Sequence, residues 1–84
     1  MTEQGQKIAD YIIQKVIRRP GVKLEEDTPL VTSGLIDSLA LVDILLKVEE
    51  VTNMRIPAGK VQAKDMDTIR LMFQTAQRVG KPRK

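Results

Sequence analysis

The sequence predicts an all-α domain: a small four-helix bundle of three main helices and one short helix, with a long loop between helices 1 and 2. Three observations carry that expectation. Apolar residues recur at helical spacing in three separate stretches, no stretch alternates with a period of two, and each helical stretch ends at residues that stop helices. The chain has 84 residues, enough for one small domain that buries roughly 60 to 65% of the surface its unfolded form exposes. It contains no Cys and no His, so disulfides are excluded and the usual ligands of a structural zinc are missing. The core has to hold by packing.

The first helix is expected from about Glu3 to Arg19. Ile8, Tyr11, Ile12 and Val16 form its stripe, Ile13 and Ile17 widen it, and Pro20-Gly21 stops it. Residues 20–36 follow as a long connection with Leu24, Leu30, Val31 and Leu35 as anchors. Loops longer than about 12 to 15 residues are uncommon in compact domains unless they pack or work. This one leads straight to Gly34-Leu35-Ile36-Asp37-Ser38-Leu39.

The second helix is expected to begin with Asp37 as its N-cap and to run to about Thr52, with Asn53 as the stop. Stepping by about 100° per residue gathers Leu41, Ile44, Leu45 and Val48 on one side and Leu39, Val42 and Leu46 on the other, beside Asp43 and Glu50. One helix thus has two apolar faces, and a small bundle buries only one of them in its own core. After Ile56-Pro57, residues 58–64 are expected to form a short helical turn around Val61. The last helix is capped by Asp67 or Thr68, buries Ile69, Met72, Phe73, Ala76 and Val79, and ends at Gly80 and Pro82.

Charge is unevenly placed. The formal net charge is +3, yet residues 25–50 hold seven acids against one base, Lys47, while the remainder holds four acids against thirteen bases. The surface around Ser38 is therefore acidic on a chain that is basic elsewhere. Arg78, Lys81, Arg83 and Lys84 crowd the C-terminal end, which reads as a solvated flexible tail. No apolar run approaches the roughly 20 residues of a membrane span, and the first residues lack the apolar stretch of a signal peptide, so a cytoplasmic address is expected.

Ser38 is one of two serines, and with neither an imidazole nor a thiol in the chain nothing of those types can activate it as a nucleophile. It reads as an attachment point. The ordered run Asp27-Thr28-Pro29-Leu30, Gly34-Leu35-Ile36-Asp37-Ser38-Leu39, Glu49-Glu50, Arg55-Ile56-Pro57 and Asp67-Thr68-Ile69 resembles the acyl carrier protein family, over residues 8–79. The resemblance implies a non-catalytic carrier domain over residues 1–79, followed by the basic tail at 80–84.

It also implies that a phosphopantetheinyl transferase attaches 4′-phosphopantetheine from coenzyme A to Ser38, and that acyl or aminoacyl groups ride on the arm's thiol as thioesters. Asp37, by its position, is associated with the magnesium used in that transfer as well as with capping. Leu39, Val42 and Leu46 become the apolar patch offered to partner enzymes, with Asp43, Glu49 and Glu50 as acidic contacts that steer basic surfaces. The partners implied are the transferase, an acyl- or aminoacyl-loading ligase or transferase, and a downstream synthase or acyltransferase. The carrier itself is expected to be a monomer with no resident metal.

Ala40 and Lys47 thin the acidic strip of helix 2, and Thr52-Asn53 stands where an aromatic and a glycine are common in fatty-acid carriers. These departures favour a dedicated carrier over a housekeeping role in fatty acid synthesis. Two other readings remain at this stage. A small basic nucleic-acid-binding domain is disfavoured because a basic recognition helix is absent and both aromatics, Tyr11 and Phe73, fall on core stripes. An unmodified interaction module on the carrier fold is disfavoured by the intact Asp37-Ser38-Leu39. In that bland view Asp43 and Lys47 are an ordinary i,i+4 surface pair.

Overall fold

The computed structural model describes residues 2–19 and 21–82. Three helices carry the architecture: α1 (Glu3–Tyr11), α2 (Ala40–Thr52) and α3 (Ile69–Val79). α2 packs against both α1 and α3, and α1 also touches α3, so the three apolar stripes close on one another. Ile8, Ile12, Ile44, Val48, Ile69 and Met72 are almost wholly removed from water at the centre. Tyr11 and Phe73 lie half-buried against that core.

The helix ends have local causes. Thr2 caps α1, its Oγ1 accepting from the Gly5 N–H at 3.0 Å. Beyond Tyr11 the chain continues helically through Ile12–Ile17 with wider, π-type hydrogen bonds, and Arg18 donates to the Ile13 carbonyl at 2.8 Å. Arg18 then turns left-handed at φ 59°. The helix therefore ends before the expected Arg19, and the expected stop at Pro20 lies outside the described residues. Asn53 closes α2 in the left-handed conformation at φ 55°, as its type suggests. Thr68, rather than Asp67, caps α3, with its Oγ1 accepting from the Leu71 N–H at 3.0 Å.

The long loop is pinned rather than loose. Leu24 and Leu30 are buried as expected and Val31 is half-buried, but Leu35 faces solvent and its neighbour Ile36 enters the core instead. At its early end Arg70 of α3 holds Asp27 through Nε (2.7 Å) and Glu26 through Nη2 (2.8 Å), and the Arg70 N–H donates to the Glu26 carbonyl at 3.0 Å. That guanidinium lowers the Asp27 pKa, and the carboxylates in turn raise that of Arg70. At the later end the loop turns at Gly34, whose φ of 81° suits glycine.

The short helix expected over residues 58–64 is instead two 3₁₀ turns, Ala58–Lys60 and Ala63–Met66, with Val61 extended between them. The second turn restarts because Asp65 accepts from the Gln62 N–H at 2.9 Å, fixing a new N-terminus. Two residues on either side of this segment also form a small antiparallel ladder, with Met54 opposite Pro82 and Arg55 opposite Lys81. Lys81 and Pro82 thus carry an ordered pairing where a free tail is expected. Arg78 lies 3.7 Å from Asp65, and Arg83 and Lys84 fall outside the described residues. Gly80 makes the junction, since a Cβ there would overlap the Ala76 carbonyl oxygen and come within 2.9 Å of Met54 Cε. Among the described residues, no helix is long and apolar enough to cross a membrane.

Candidate functional site

Ser38 lies in the turn that feeds α2, exposed, one residue past the Asp37 cap. The turn forms because the Ala40 N–H donates both to Asp37 Oδ1 (3.0 Å) and to the Asp37 carbonyl (3.2 Å), while the Leu41 N–H reaches the Ser38 carbonyl at 3.3 Å. Asp37 therefore caps as its type and place suggest, although regular helix begins only at Ala40. Among the described residues, the Ser38 hydroxyl has no hydrogen-bond partner, and no protein acceptor engages the N–H groups of Ser38 or Leu39. A hydroxyl in this setting is reachable, unburied and beside the positive end of a 13-residue helix, where an anion is favoured.

A groove of about 240 Å³ opens beside Ser38. Leu41, Val42 and Leu45 of α2 form one wall, and Ala58, Ala63 and Met66 of the two 3₁₀ turns, with Val61 and the polar Gln62 from the link between them, form the other. Among the described residues, no charged side chain lines it. The break at Val61 makes this wall, because the extended residue turns its side chain into the space that a continuous helix would have organised differently.

The residues expected to meet partners separate into two groups. Leu39 is 83% exposed, Val42 60% and Leu46 58%, so this second face of α2 is not covered by the segment that follows. Asp43 and Glu50 are exposed on the same side. Lys47 does not pair with Asp43: it bridges to Glu50 at 3.5 Å and sits 5.6 Å from the centre of the Tyr11 ring. Glu49 is half-buried and turns inward, its Oε2 accepting from the Ile56 N–H at 2.7 Å. That bond fastens the chain where it enters the 3₁₀ wall of the groove.

Asp67, one of the two expected caps of the last helix, instead holds the loop that leads to the Ser38 turn. Asp67 Oδ1 accepts from the N–H groups of Leu30 (3.2 Å), Val31 (2.8 Å) and Thr32 (3.0 Å), and Oδ2 accepts from Thr32 Oγ1 at 3.1 Å. The Leu30 N–H is shared with the Asp67 carbonyl at 2.7 Å. These donors, the Thr32 N–H foremost, hold the Asp67 pKa below the ordinary value of 3.8 against an opposing effect of burial.

A family model described as the phosphopantetheine attachment site matches residues 8–72, spanning the loop, the Ser38 turn and both walls of the groove. The chain belongs to this phosphopantetheine-attachment family. No curated protein and no solved structure matches it. Domains of this family are carriers rather than catalysts, and they bear a covalent 4′-phosphopantetheine group. The residues on the Ser38 side of this member fit such an arm, with an exposed hydroxyl, two N–H groups at the helix start, Ser38 and Leu39, left over by the Asp37 carboxylate that already engages Ala40, and an apolar groove alongside.

Proposed function

We propose that Ser38 is the attachment point and that the chain is a carrier of acyl groups, presenting them to partner enzymes without catalysing their conversion. The observation that carries this reading is the exposed, unpartnered Ser38 hydroxyl at the mouth of the groove and at the start of α2. In the transfer the Ser38 oxygen forms a bond to the pantetheine-side phosphorus of coenzyme A, the hydroxyl proton is lost, and the nucleotide leaves as adenosine bisphosphate. Asp37 keeps Oδ1 on the Ala40 N–H, and by its position next to Ser38 its carboxylate would assist the magnesium used in that transfer. Once in place, the arm supplies a thiol on which acyl groups are held as thioesters.

The groove favours an uncharged, apolar acyl cargo over an aminoacyl one. An ammonium group entering it would leave water for a lining that holds no carboxylate, and burial of an unpaired charge is costly. Leu39, Val42 and Leu46 form the apolar contact for the transferase, a loading ligase and a downstream synthase, while Asp43 and Glu50 steer basic partner surfaces. Glu49 is committed to Ile56 and contributes by holding the groove wall.

Co-expression with a broad-specificity phosphopantetheinyl transferase, followed by mass spectrometry of the intact protein, tests this reading. One added arm is expected on the wild type and none on Ser38→Ala. A folded wild type that stays unmodified overturns it. The mass of cargo released from the native protein then reads the acyl class directly.

A further inference from the structure

Between the core and Ser38 lies a chain of fixed points whose far end is Asp67. Its carboxylate gathers three consecutive backbone N–H groups, at Leu30, Val31 and Thr32, from 35 to 37 residues away in sequence. The Leu30 carbonyl in turn accepts from the Ile36 N–H at 3.1 Å, closing residues 30–36 into a ring. Within that ring Ser33 Oγ donates to the Pro29 carbonyl at 2.6 Å, and the Gly34 N–H donates to the Val31 carbonyl at 3.1 Å. Ile36 is buried, and Asp37 and Ser38 follow it directly. The position of Ser38 is thus set from two sides: by α2 on its C-terminal side, and by the ring that Asp67 holds on its N-terminal side.

We infer that Asp67 is a positioning residue for the modification of Ser38: its carboxylate holds the 30–36 ring in the one arrangement that a transferase can engage. The inference rests on Ser38 being the attachment point. Without the carboxylate the three N–H groups lose a common charged acceptor, and the ring populates other arrangements. A transferase then meets a competent carrier only part of the time, and its apparent affinity falls by that fraction. Turnover of the bound complex is unaffected, because binding itself selects the competent arrangement.

A second clamp on the same loop provides the control. Arg70 holds Glu26 and Asp27, well before the ring, and reaches none of residues 30–36. Loosening it disturbs the loop and the fold without disturbing the approach to Ser38.

The experiment is steady-state kinetics of a broad-specificity transferase on four apo-carriers: wild type, Asp67→Asn, Asp67→Ala and Arg70→Ala. All four are assayed at a temperature where circular dichroism shows each to be folded. Asp67→Ala is expected to raise KM for the carrier roughly tenfold, as when the competent arrangement falls to about a tenth of the population. Its kcat should stay within about twofold, since the effect is on population alone. Asp67→Asn keeps a neutral acceptor and should fall between wild type and alanine, and should stand in for the alanine variant if that one does not fold.

Arg70→Ala should leave KM unchanged. Amide hydrogen exchange gives an independent reading, with faster exchange at Leu30, Val31, Thr32 and Ile36 in the Asp67 variants and unchanged exchange across α3. Equal KM for wild type and both Asp67 variants, or an equal rise in Arg70→Ala, overturns the inference. A wild type that no transferase modifies overturns the attachment reading instead, so the two failures are distinct.

Discussion

α2 has two apolar faces made from the same kinds of side chain, and they meet opposite fates. Ile44 and Val48 have no exposed surface, whereas Leu39 and Leu46 have more than half of theirs in water. The acidic groups divide the same way, since Glu49 turns inward onto Ile56 while Asp43 and Glu50 face solvent. Residue type therefore does not say what a side chain on this helix does. Its angular position does: the inward set specifies the domain, and the outward set is free to be recognised.

The largest expected contrast is between the apolar residues of the two faces. Ile44→Ala should cost about 2 to 5 kcal/mol, because the site is enclosed by three helices and cannot collapse around the lost atoms. Leu46→Ala should change stability by no more than about 0.5 kcal/mol. Urea titrations of both variants check this, and comparable losses would show that the outward face is bound into the fold after all.

The acidic pair gives the next contrast. Glu49→Ala should lose about 1 kcal/mol, the scale of a charge-assisted hydrogen bond discounted for partial exposure. Glu50→Ala removes an exposed 3.5 Å pair with Lys47 and should be nearly silent. Denaturant midpoints of the two variants at neutral pH rank them directly. If Glu50 proved the costlier loss, the inward and outward assignment of the two neighbours would have to be reversed.

How much of this division the sequence carries depends on the range of the interaction. The faces of α2 and its Asn53 stop follow from spacing and residue type within a few positions and stand as expected, whereas the helix expected to start from Asp37 begins only at Ala40, after a turn through Ser38 and Leu39. Leu35 and Ile36 are adjacent and equally apolar, and in a loop with no repeating period nothing local says which one turns inward. The roles of Asp67 and Glu49 join side chains to backbone N–H groups across turns, which leaves no pattern in the sequence. The groove wall depends on a break at Val61 produced by a new cap at Gln62, and its apolar composition alone reads as one short helix. The ladder between Met54–Arg55 and Lys81–Pro82 is too short for alternation to register.

Acid provides a test of the Asp67 clamp. The Asp67 pKa is lowered in the folded protein, so its contribution to stability is complete above the ordinary carboxylate range and is lost as pH falls through the lower folded value. Stability should therefore decline below about pH 4. Asp67→Asn should be less stable than wild type at neutral pH, with a shallower acid limb. Asp27 contributes a slope of the same sign through Arg70, so the limb is reduced rather than abolished. Thermal melts of both proteins between neutral pH and the acid range check it, and identical acid slopes would mean that Asp67 titrates as it does in the unfolded chain.

The smallest expected effect belongs to the outward acids, and it is one that stability measurements do not register. Asp43 is exposed among apolar residues that a partner would cover, and a rim charge of this kind acts mainly on the rate of encounter. Asp43→Asn should leave the melting curve unchanged and lower the association rate with the transferase by a few-fold at low salt, since one rim charge supplies only part of the steering. The difference should close as ionic strength rises and the Debye length shrinks toward about 3 Å near 1 M salt. Stopped-flow association across a salt series makes the comparison. A rate deficit that persists at high salt would place Asp43 in a desolvated contact instead, and would move it from the steering rim into the apolar patch formed by Leu39, Val42 and Leu46.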